Sequence, residues 1–348
     1  MGFRGVRRAF VLAVLASCAL PLSACGGDAS FHHGVIGVEL PQRGGDEAAW
    51  SPDGKWIAVP VKAGIRLRNV ASGEVREIEA PMLQGFPVDP GGLSWSGRTL
   101  RYVTSDGPRE KNVSWLTEVH RDGSGLRQTP LPVKAQSLGW ASRGLPLAFA
   151  TGPYAIDAEK GPVGPRPALY VVDEFGSPAR RIVQIPHGTR ESAIEEASVS
   201  PDGSRVLYER TQRHPEALWT ARIDGSAPRR LVSGLQIYGR AVWSPDARKI
   251  AFVGLRRHAR EGHVYVLPAA GGRPRPVTSG EVLEGPVWTP DGRWLTYSNF
   301  DGEIRRVRPD GTGNQVIAEI PDQEIRGLLW SPDGRHFGYT AEDFPPSD

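Results

Sequence analysis

The chain has 348 residues, of which 39% are hydrophobic, and its formal net charge is +3. Three arginines in the first 24 residues account for all of that charge, and the remaining chain carries equal numbers of basic and acidic side chains, so its composition gives no support to a nucleic-acid-binding surface. No run of eighteen apolar residues follows residue 24, which excludes a transmembrane helix in the rest of the sequence.

The N-terminal segment has the three parts of an export signal. A short basic start is followed by an apolar run from Ala9 to Leu20 and then by small residues. Residues 22–25 read LSAC, which resembles the lipobox of bacterial lipoproteins. The resemblance implies that residues 1–24 are a signal peptide that is cleaved off and that Cys25 becomes the lipid-bearing N-terminus. A plain secretory signal with an incidental cysteine is the alternative.

Lipid on Cys25 would anchor the protein in the membrane, since each buried methylene of an acyl chain such as palmitate adds about 0.8 kcal/mol. Residues 25–33 would then be the lipidated cysteine and a short tether, whose residues 26–33 span at most about 28 Å. The predicted location is the extracytoplasmic face of the cell membrane. Arg7 and Arg8 also resemble the twin-arginine export pattern, but two ordinary charges explain them equally well, so the export route stays open.

A five-residue phrase recurs along the rest of the chain at nearly even intervals. It reads WSPDG from Trp50 and Trp330, WSPDA from Trp243, WTPDG from Trp288 and VSPDG from Val199. Two shortened copies, WSG and WAS, begin at residues 95 and 140. Successive copies start 45, 45, 59, 44, 45 and 42 residues apart, and a period of this length is typical of an array of small β-units.

The residues of the repeated phrase suit structural roles. Proline presets the backbone at the second position of a type I turn, and Asp followed by Gly suits the next positions. We therefore interpret the repeated aspartates as turn residues rather than metal ligands or acids, and the repeated tryptophans as packing between neighbouring units. The aspartates are Asp53, Asp202, Asp246, Asp291 and Asp333, and the tryptophans are Trp50, Trp95, Trp140, Trp243, Trp288 and Trp330.

The order of signals within each period predicts four short antiparallel strands, with the SPDG turn between the first and the second. A four-stranded unit of this length and motif resembles the TolB-like propeller repeat, a relative of the WD-repeat blade. The resemblance covers residues 34–348 and implies an all-β protein, a seven-bladed β-propeller, with six blades as the alternative. A β-array that does not close, or a sandwich, is a further alternative.

The two ends of the repeat region predict how the ring closes. After Gly334 there is room for only one more strand, so the seventh unit lacks its outer strands. Residues Gly34 to Leu40 precede the first motif, at the place where every other unit has the last strand of the previous blade. We therefore expect this N-terminal strand to pair with the C-terminal unit, giving a three-stranded last blade without an open edge.

Charged residues just before the repeated motifs are the first candidates for a binding site. In the implied propeller the SPDG turns share one face, and the variable loops, where function usually lies, share the other. Residues that precede the motifs should approach the mouth of the central channel, where they either bind a polar ligand or hydrate the channel. These candidates are Glu47, Glu196, Arg240, Glu284 and Arg326.

A second set of candidates consists of basic residues on two adjacent blades, namely Arg213, His214, Arg257 and His258. Together they would suit an anion such as a polymer phosphate, a carboxylate or a lipid headgroup. The alternative is solvated surface charge, because acidic residues such as Glu216 and Glu261 are interleaved with them.

Catalytic motifs are scarce, since the chain has no GxSxG elbow, HExxH, Walker loop or paired-cysteine motif. The sequence therefore predicts no catalytic residue, no metal and no cofactor. We favour a monomeric, non-catalytic, lipid-anchored binding or scaffolding protein that meets another envelope protein or a cell-wall polymer, and not nucleic acid. Two alternatives stay open: an envelope lyase or hydrolase acting on a glycan or peptide, and a sensor that binds a small ligand in the central pore.

Overall fold

The structure is a computed structural model that describes residues 30–41, 47–62, 64–79, 82–83, 86–87, 90–105, 114–141, 144–151, 155–157, 161–163, 166–185, 193–211, 217–257, 259 and 261–343. The leader and Cys25 lie outside these ranges, and so do three residues of the basic set, Arg213, His214 and His258. A search of the described part of the chain finds no helix with the length and apolarity needed to span a membrane.

Seven of the sheets follow one another along the chain, and each forms one blade of a β-propeller. Blades 1–6 each contribute four strands that pair antiparallel in chain order. In blades 1–3 the strands are Ala49–Trp50, Trp56–Val61, Gly64–Asn69 and Val75–Glu79; Pro90–Ser96, Thr99–Ser105, Ser114–His120 and Arg127–Pro130; and Ala135–Trp140, Leu147–Thr151, Ala168–Val172 and Arg180–Gln184. In blades 4–6 they are Ala193–Val199, Arg205–Thr211, Ala217–Arg222 and Arg229–Val232; Leu235–Trp243, Lys249–Arg256, His263–Pro268 and Arg275–Pro276; and Glu284–Trp288, Leu295–Ser298, Glu303–Val307 and Gln315–Glu319.

Blade 7 has three strands, which are Gln323–Trp330, His336–Asp343 and the N-terminal Ile36–Glu39. The prediction of seven blades is confirmed, and the six-bladed alternative is wrong. Two hairpins lie outside the blades, Met82–Leu83 with Phe86–Pro87 and Ala155–Asp157 with Gly161–Val163. The first strand lies at one edge of each blade, and the first strands of successive blades contact one another, which places these strands around the central channel.

The predicted closure by the N-terminal strand is also confirmed. Ile36–Glu39 pairs with residues 336–339 of the last strand, and the pairing is parallel. The direction has a simple cause. In other blades the fourth strand, which runs in the direction of the second, leads into the next blade, and Ile36–Glu39 leads into blade 1 in the same way. Because the described residues supply no third strand to blade 7, this strand lies directly beside the second.

The N-terminal segment also reaches blade 6, which the sequence did not predict. Ser30–Phe31, assigned to the tether by the sequence, pairs antiparallel with Gln315–Glu319 as a fifth strand. The Phe31 ring lies 5.8 Å from the ring of Tyr339 in blade 7. It also covers Gly37 so closely that a Cβ atom there would overlap the ring. The segment therefore joins the last two blades.

Apolar side chains fill the seams between neighbouring blades. In the seam of blades 4 and 5, Leu207 and Leu218 are fully buried against Ile250 and Phe252. The tryptophans of the repeated motif lie in such seams, as the sequence predicts. Some of them also bond to the preceding blade: the indole Nε1 of Trp95 donates a hydrogen bond to the carbonyl of Ala49 at 3.0 Å. Burial and hydrogen bonds across the seams thus hold the ring together.

The aspartates of the motif accept hydrogen bonds within their own turns through one carboxylate oxygen. In blade 5, Ser244 Oγ donates to Asp246 Oδ1 at 2.6 Å, and the backbone N–H of Arg248 donates to the same oxygen at 3.1 Å. The same pair of bonds occurs at Asp53, Asp202 and Asp333. The serine hydroxyl lowers the pKa of Asp246, so this carboxylate is ionised and structural at neutral pH.

One turn of the motif carries backbone strain. Its last position has a positive φ in every complete copy, and glycine fills it at residues 54, 203, 292 and 334, with φ between 67 and 72°. In blade 5 this position is Ala247, which has a φ of 57°. A left-handed conformation costs a residue with a Cβ roughly 1 kcal/mol. Ala247 is therefore a strained turn residue on the face opposite the variable loops.

Candidate functional site

The antiparallel order of the strands divides the propeller into two faces. The SPDG turns and the turns between the third and fourth strands lie on one face, which we call the turn face. The loops between the second and third strands and the links between blades lie on the other, the loop face. Each first strand therefore begins near the loop face, where the channel opens. We call the part of each first strand that precedes the motif, together with the residues that lead into the strand, the channel mouth.

All five candidates that precede the motifs belong to the channel mouth. Glu196, Arg240, Glu284 and Arg326 lie within the first strands of blades 4, 5, 6 and 7, and Glu47 lies just before the first strand of blade 1. Of the basic set, Arg257 is exposed on a loop of blade 5. The other three basic candidates lie outside the described residues, so the set remains a prediction.

The structure brings the channel-mouth candidates together in pairs from adjacent blades. Arg240 Nε donates to Glu196 Oε2 at 3.0 Å, joining blades 4 and 5. Arg326 Nη1 lies 4.0 Å from Glu284 Oε2, joining blades 6 and 7. Glu47 Oε2 accepts a hydrogen bond of 3.3 Å from the backbone N–H of Gly92 in blade 2.

These pairs remain open to solvent. The side chains of Arg240 and Glu196 are 56% and 36% exposed. Partly exposed ion pairs contribute only about 0–1 kcal/mol to stability. Arg326 Nη2 also donates a hydrogen bond of 3.0 Å to Glu324 Oε2, and this bond raises the pKa of Arg326. Oriented charges of this kind, accessible and weakly stabilising, can exchange their partners for the charged groups of a ligand.

Glu196 has a backbone conformation that glycine adopts at the same position of three other blades. Its φ is 48°, and the strand pairing shifts register between Glu195 and Ser198, the mark of a β-bulge. Three residues before the motif, where Glu196 stands in blade 4, blades 2, 6 and 7 have Gly92, Gly285 and Gly327, all with positive φ. Strain of this kind costs of order 1–3 kcal/mol and clusters at functional sites. The sequence shows the replacement of glycine by glutamate but not its backbone conformation.

Two cavities that sequence reasoning missed lie where blade 5 passes into blade 6. Their volumes are about 430 and 440 Å³, and both are lined by Ser279 and Gly280. A third, of about 460 Å³, lies on the turn face among the first turns of blades 3, 4 and 5. Within the described ranges, no group of three or more His, Cys, Asp or Glu side chains is placed to hold a metal ion.

Comparisons with known proteins bear on the fold. No family model matches the chain. A segment of 132 residues is 27% identical to the Tol-Pal system protein TolB of Alcanivorax borkumensis, covering 36% of this chain and 30% of that protein. The crystal structure of TolB from Acinetobacter baumannii matches 82% of this chain and 66% of that chain, with a TM-score of 0.50 and 14% identity. This chain is a TolB-like β-propeller.

The TolB-like propeller is also similar to the structure of oligogalacturonate lyase from Vibrio parahaemolyticus. That match covers 86% of this chain and 89% of the lyase, with a TM-score of 0.62 and 14% identity. The chain spans about half or less of the length of the curated relatives it matches. At such identities the likeness concerns the fold, and folds of this kind carry many functions.

Proposed function

We propose that this protein is a lipid-anchored, extracytoplasmic propeller that binds another envelope protein or a cell-wall polymer at the channel mouth, without catalysing a reaction. The observation that carries the proposal is Glu196, a carboxylate kept at a strained backbone position and paired with Arg240 of the next blade. The strain lowers stability and the exposed ion pair adds little in return. Both facts are explained if the carboxylate contacts a ligand. The likeness to TolB, named for its Tol-Pal system, supports a partner in the envelope.

The proposed anchor would set how the propeller meets the membrane. Cys25 and Ser30 are five residues apart, and five residues span at most about 18 Å. Ser30 begins the outermost strand of blade 6. The lipid would therefore hold the rim of blade 6 beside the membrane, with the channel mouth turned to one side and open to partners.

Changing Cys25 to alanine should release the protein from membranes without lowering its stability, because the lipid is attached there and the blades begin later in the chain. Fractionation of cells into membrane and soluble parts, with a thermal melt of the released protein, measures both effects. Cys18→Ala is the matched control, since Cys18 lies in the leader and should leave the attachment unchanged. Continued membrane association of Cys25→Ala would refute the anchor.

The binding role is tested by changing Glu196 to glycine. We expect the free energy of unfolding to stay the same or to rise by up to about 1 kcal/mol, because the strained φ is relieved while an exposed ion pair is lost. Binding should fall, because the carboxylate is gone. A photoactivatable amino acid at Tyr238, an exposed residue of the first strand of blade 5, reports binding by crosslinking in intact cells, followed by mass spectrometry.

Ala247→Gly is the control for this test, because it relieves the same kind of strain on the turn face. It should raise the free energy of unfolding by about 1 kcal/mol and leave the crosslinks at Tyr238 unchanged. Equal crosslinking in wild type and Glu196→Gly would contradict a binding role for the channel mouth.

A catalytic role is the second candidate, favoured by the likeness to the lyase structure. An envelope lyase or hydrolase would give turnover of a glycan or peptide that depends on the same channel-mouth residues. A small-ligand sensor, the third candidate, would give binding of a small molecule in the channel and no crosslinked macromolecule at Tyr238. Crosslinking thus separates the sensor from the other two roles, and turnover separates the enzyme from the binding protein.

A further inference from the structure

The two cavities between blades 5 and 6 lie side by side on the outer part of the loop face. The link between the blades, residues 278–281, is the ridge between them, and Ser279 and Gly280 line both. The loop that follows the second strand of blade 5 borders one cavity, and the corresponding loop of blade 6 borders the other. We call the two cavities and their ridge the seam groove.

The blade 6 side of the seam groove is a pre-arranged set of hydrogen-bonding groups. Asn314 Oδ1 accepts from the Tyr297 hydroxyl at 3.0 Å and from Arg305 Nε at 3.2 Å. Glu303 Oε2 accepts from Arg305 Nη1 and from Asn299 Nδ2, both at 2.7 Å. These bonds hold amide, carboxylate, guanidinium and phenol groups in fixed directions. Burial raises the pKa of Tyr297, so its hydroxyl stays protonated.

An exposed aromatic ring completes this side of the groove. Phe300 is 44% exposed, and its neighbours in the chain are the polar Asn299 and Asp301, which line the same cavity. A large aromatic ring held in solvent beside oriented polar groups suits a ligand with one apolar face and many hydroxyls. Sugar rings have this character, since their C–H faces stack on aromatic rings and their hydroxyls bond to amides and carboxylates.

The net charge of the groove limits which sugars can bind there. Glu281, Asp301 and Glu303 line the blade 6 cavity together with one cation, Arg305, and the blade 5 cavity adds one residue of each sign, Glu261 and Arg256. The excess of negative charge disfavours acidic sugars and phosphate-bearing polymers. Neutral sugars, and sugars that carry an amine, are compatible with it.

The blade 5 side extends the groove for a longer ligand. Its cavity is lined by Glu261, His263, Tyr265 and Thr278, which provide further donors and acceptors. His263 Nδ1 lies 3.1 Å from the carbonyl oxygen of Gly280, which fixes the ridge to blade 5. The exposed surface of the blade 5 cavity is mostly apolar, and two adjacent cavities that share the link as a wall fit a chain of several sugar units better than a single small molecule.

We propose that the seam groove binds a linear, neutral or amine-bearing oligosaccharide. This second site lies apart from the channel mouth and goes beyond the proposed function, on which it depends only for the location of the protein outside the cytoplasm. It also separates this chain from binders of acidic glycans. Phe300 supplies the stacking surface, and Asn299, Glu303 and Asn314 bond to the hydroxyls.

The test is isothermal titration calorimetry of the full-length protein in detergent with chitotetraose, cellotetraose, maltotetraose and soluble peptidoglycan glycan strands, and with tetragalacturonate as the acidic comparison. We expect at least one neutral or amine-bearing saccharide to bind, and tetragalacturonate to bind at least tenfold more weakly. Phe300→Ala should weaken the binding at least tenfold. Leu126→Ala, which truncates a residue that is 46% exposed on blade 2, should leave it unchanged.

Absence of binding by all the neutral and amine-bearing saccharides, or equal binding by wild type and Phe300→Ala, would overturn the proposal. Glu196→Gly should bind the saccharide as wild type does. Crosslinks at Tyr238 report binding at the channel mouth, and the saccharide titration reports binding at the seam groove. The two proposals can therefore fail independently, and each measurement shows which one has failed. A thermal melt of each variant confirms that it is folded.

Discussion

Replacing Val38 with aspartate should lower the free energy of unfolding by at least about 3 kcal/mol, because it would bury an unpaired carboxylate in the seam that closes the ring. Val38 is 8% exposed in the closing strand. Together with Leu40 it packs against Trp50 and Ile57 of blade 1. The same strand pairs with blade 7, so the change acts where the first and last blades meet.

Urea denaturation measures the loss, and hydrogen exchange of the amides in Ile36–Glu39 and His336–Asp343 shows whether the ring opens there. Ile36→Asp is the matched control, since Ile36 belongs to the same strand but is 55% exposed. Its effect should stay within about 0.5 kcal/mol. A similar loss in the two variants, or a loss below about 1 kcal/mol for Val38→Asp, would mean that the closing strand does not hold the ring.

Replacing Trp243 with alanine should cost about 3–5 kcal/mol, the usual range for a large buried aromatic side chain. Trp243 is 7% exposed and belongs to the cluster that fills the seam of blades 4 and 5 with Leu207 and Phe252. Its indole N–H has no hydrogen-bond partner among the described residues. The whole loss should therefore come from packing.

The comparison for Trp243 is Tyr238→Ala, five residues earlier in the same strand. Tyr238 is 44% exposed, so its removal should change the free energy of unfolding by no more than about 0.5 kcal/mol. Urea denaturation of the two variants gives both values. Equal effects would show that the seam does not depend on its tryptophan.

The blade pattern could be predicted because its signals are local. Within one turn, the hydroxyl of Ser244 and the backbone of Arg248 bond to Asp246, so five residues contain all that the turn requires. The number of blades and their spacing then follow from the number and positions of the motifs. Closure could be predicted for a related reason: residues 34–40 stand before the first motif, where every other unit has the last strand of the previous blade.

The candidate site could be predicted only in position. Counting back from the motifs places Glu196 and Arg240 three residues before the motifs of neighbouring blades, and the structure has both within the first strands. Their hydrogen bond of 3.0 Å joins residues 44 apart in the chain, which no local pattern indicates. The strain at Glu196 likewise depends on the bulge, because the pairing with the second strand determines which residue takes the positive φ.

The sequence by itself determined the number of blades, the turns and the strand that closes the ring, because each depends on residues close together or on regular spacing. The fifth strand of blade 6 and the seam groove were determined only by the tertiary structure. Ser30–Phe31 finds its partner almost 290 residues later, in Gln315–Glu319. Gly280, Tyr297 and Asn314 line one cavity only because the folded sheet of blade 6 lies beside the link from blade 5. Contacts of this kind follow from how the sheets pack around the axis, which the periodic pattern does not encode.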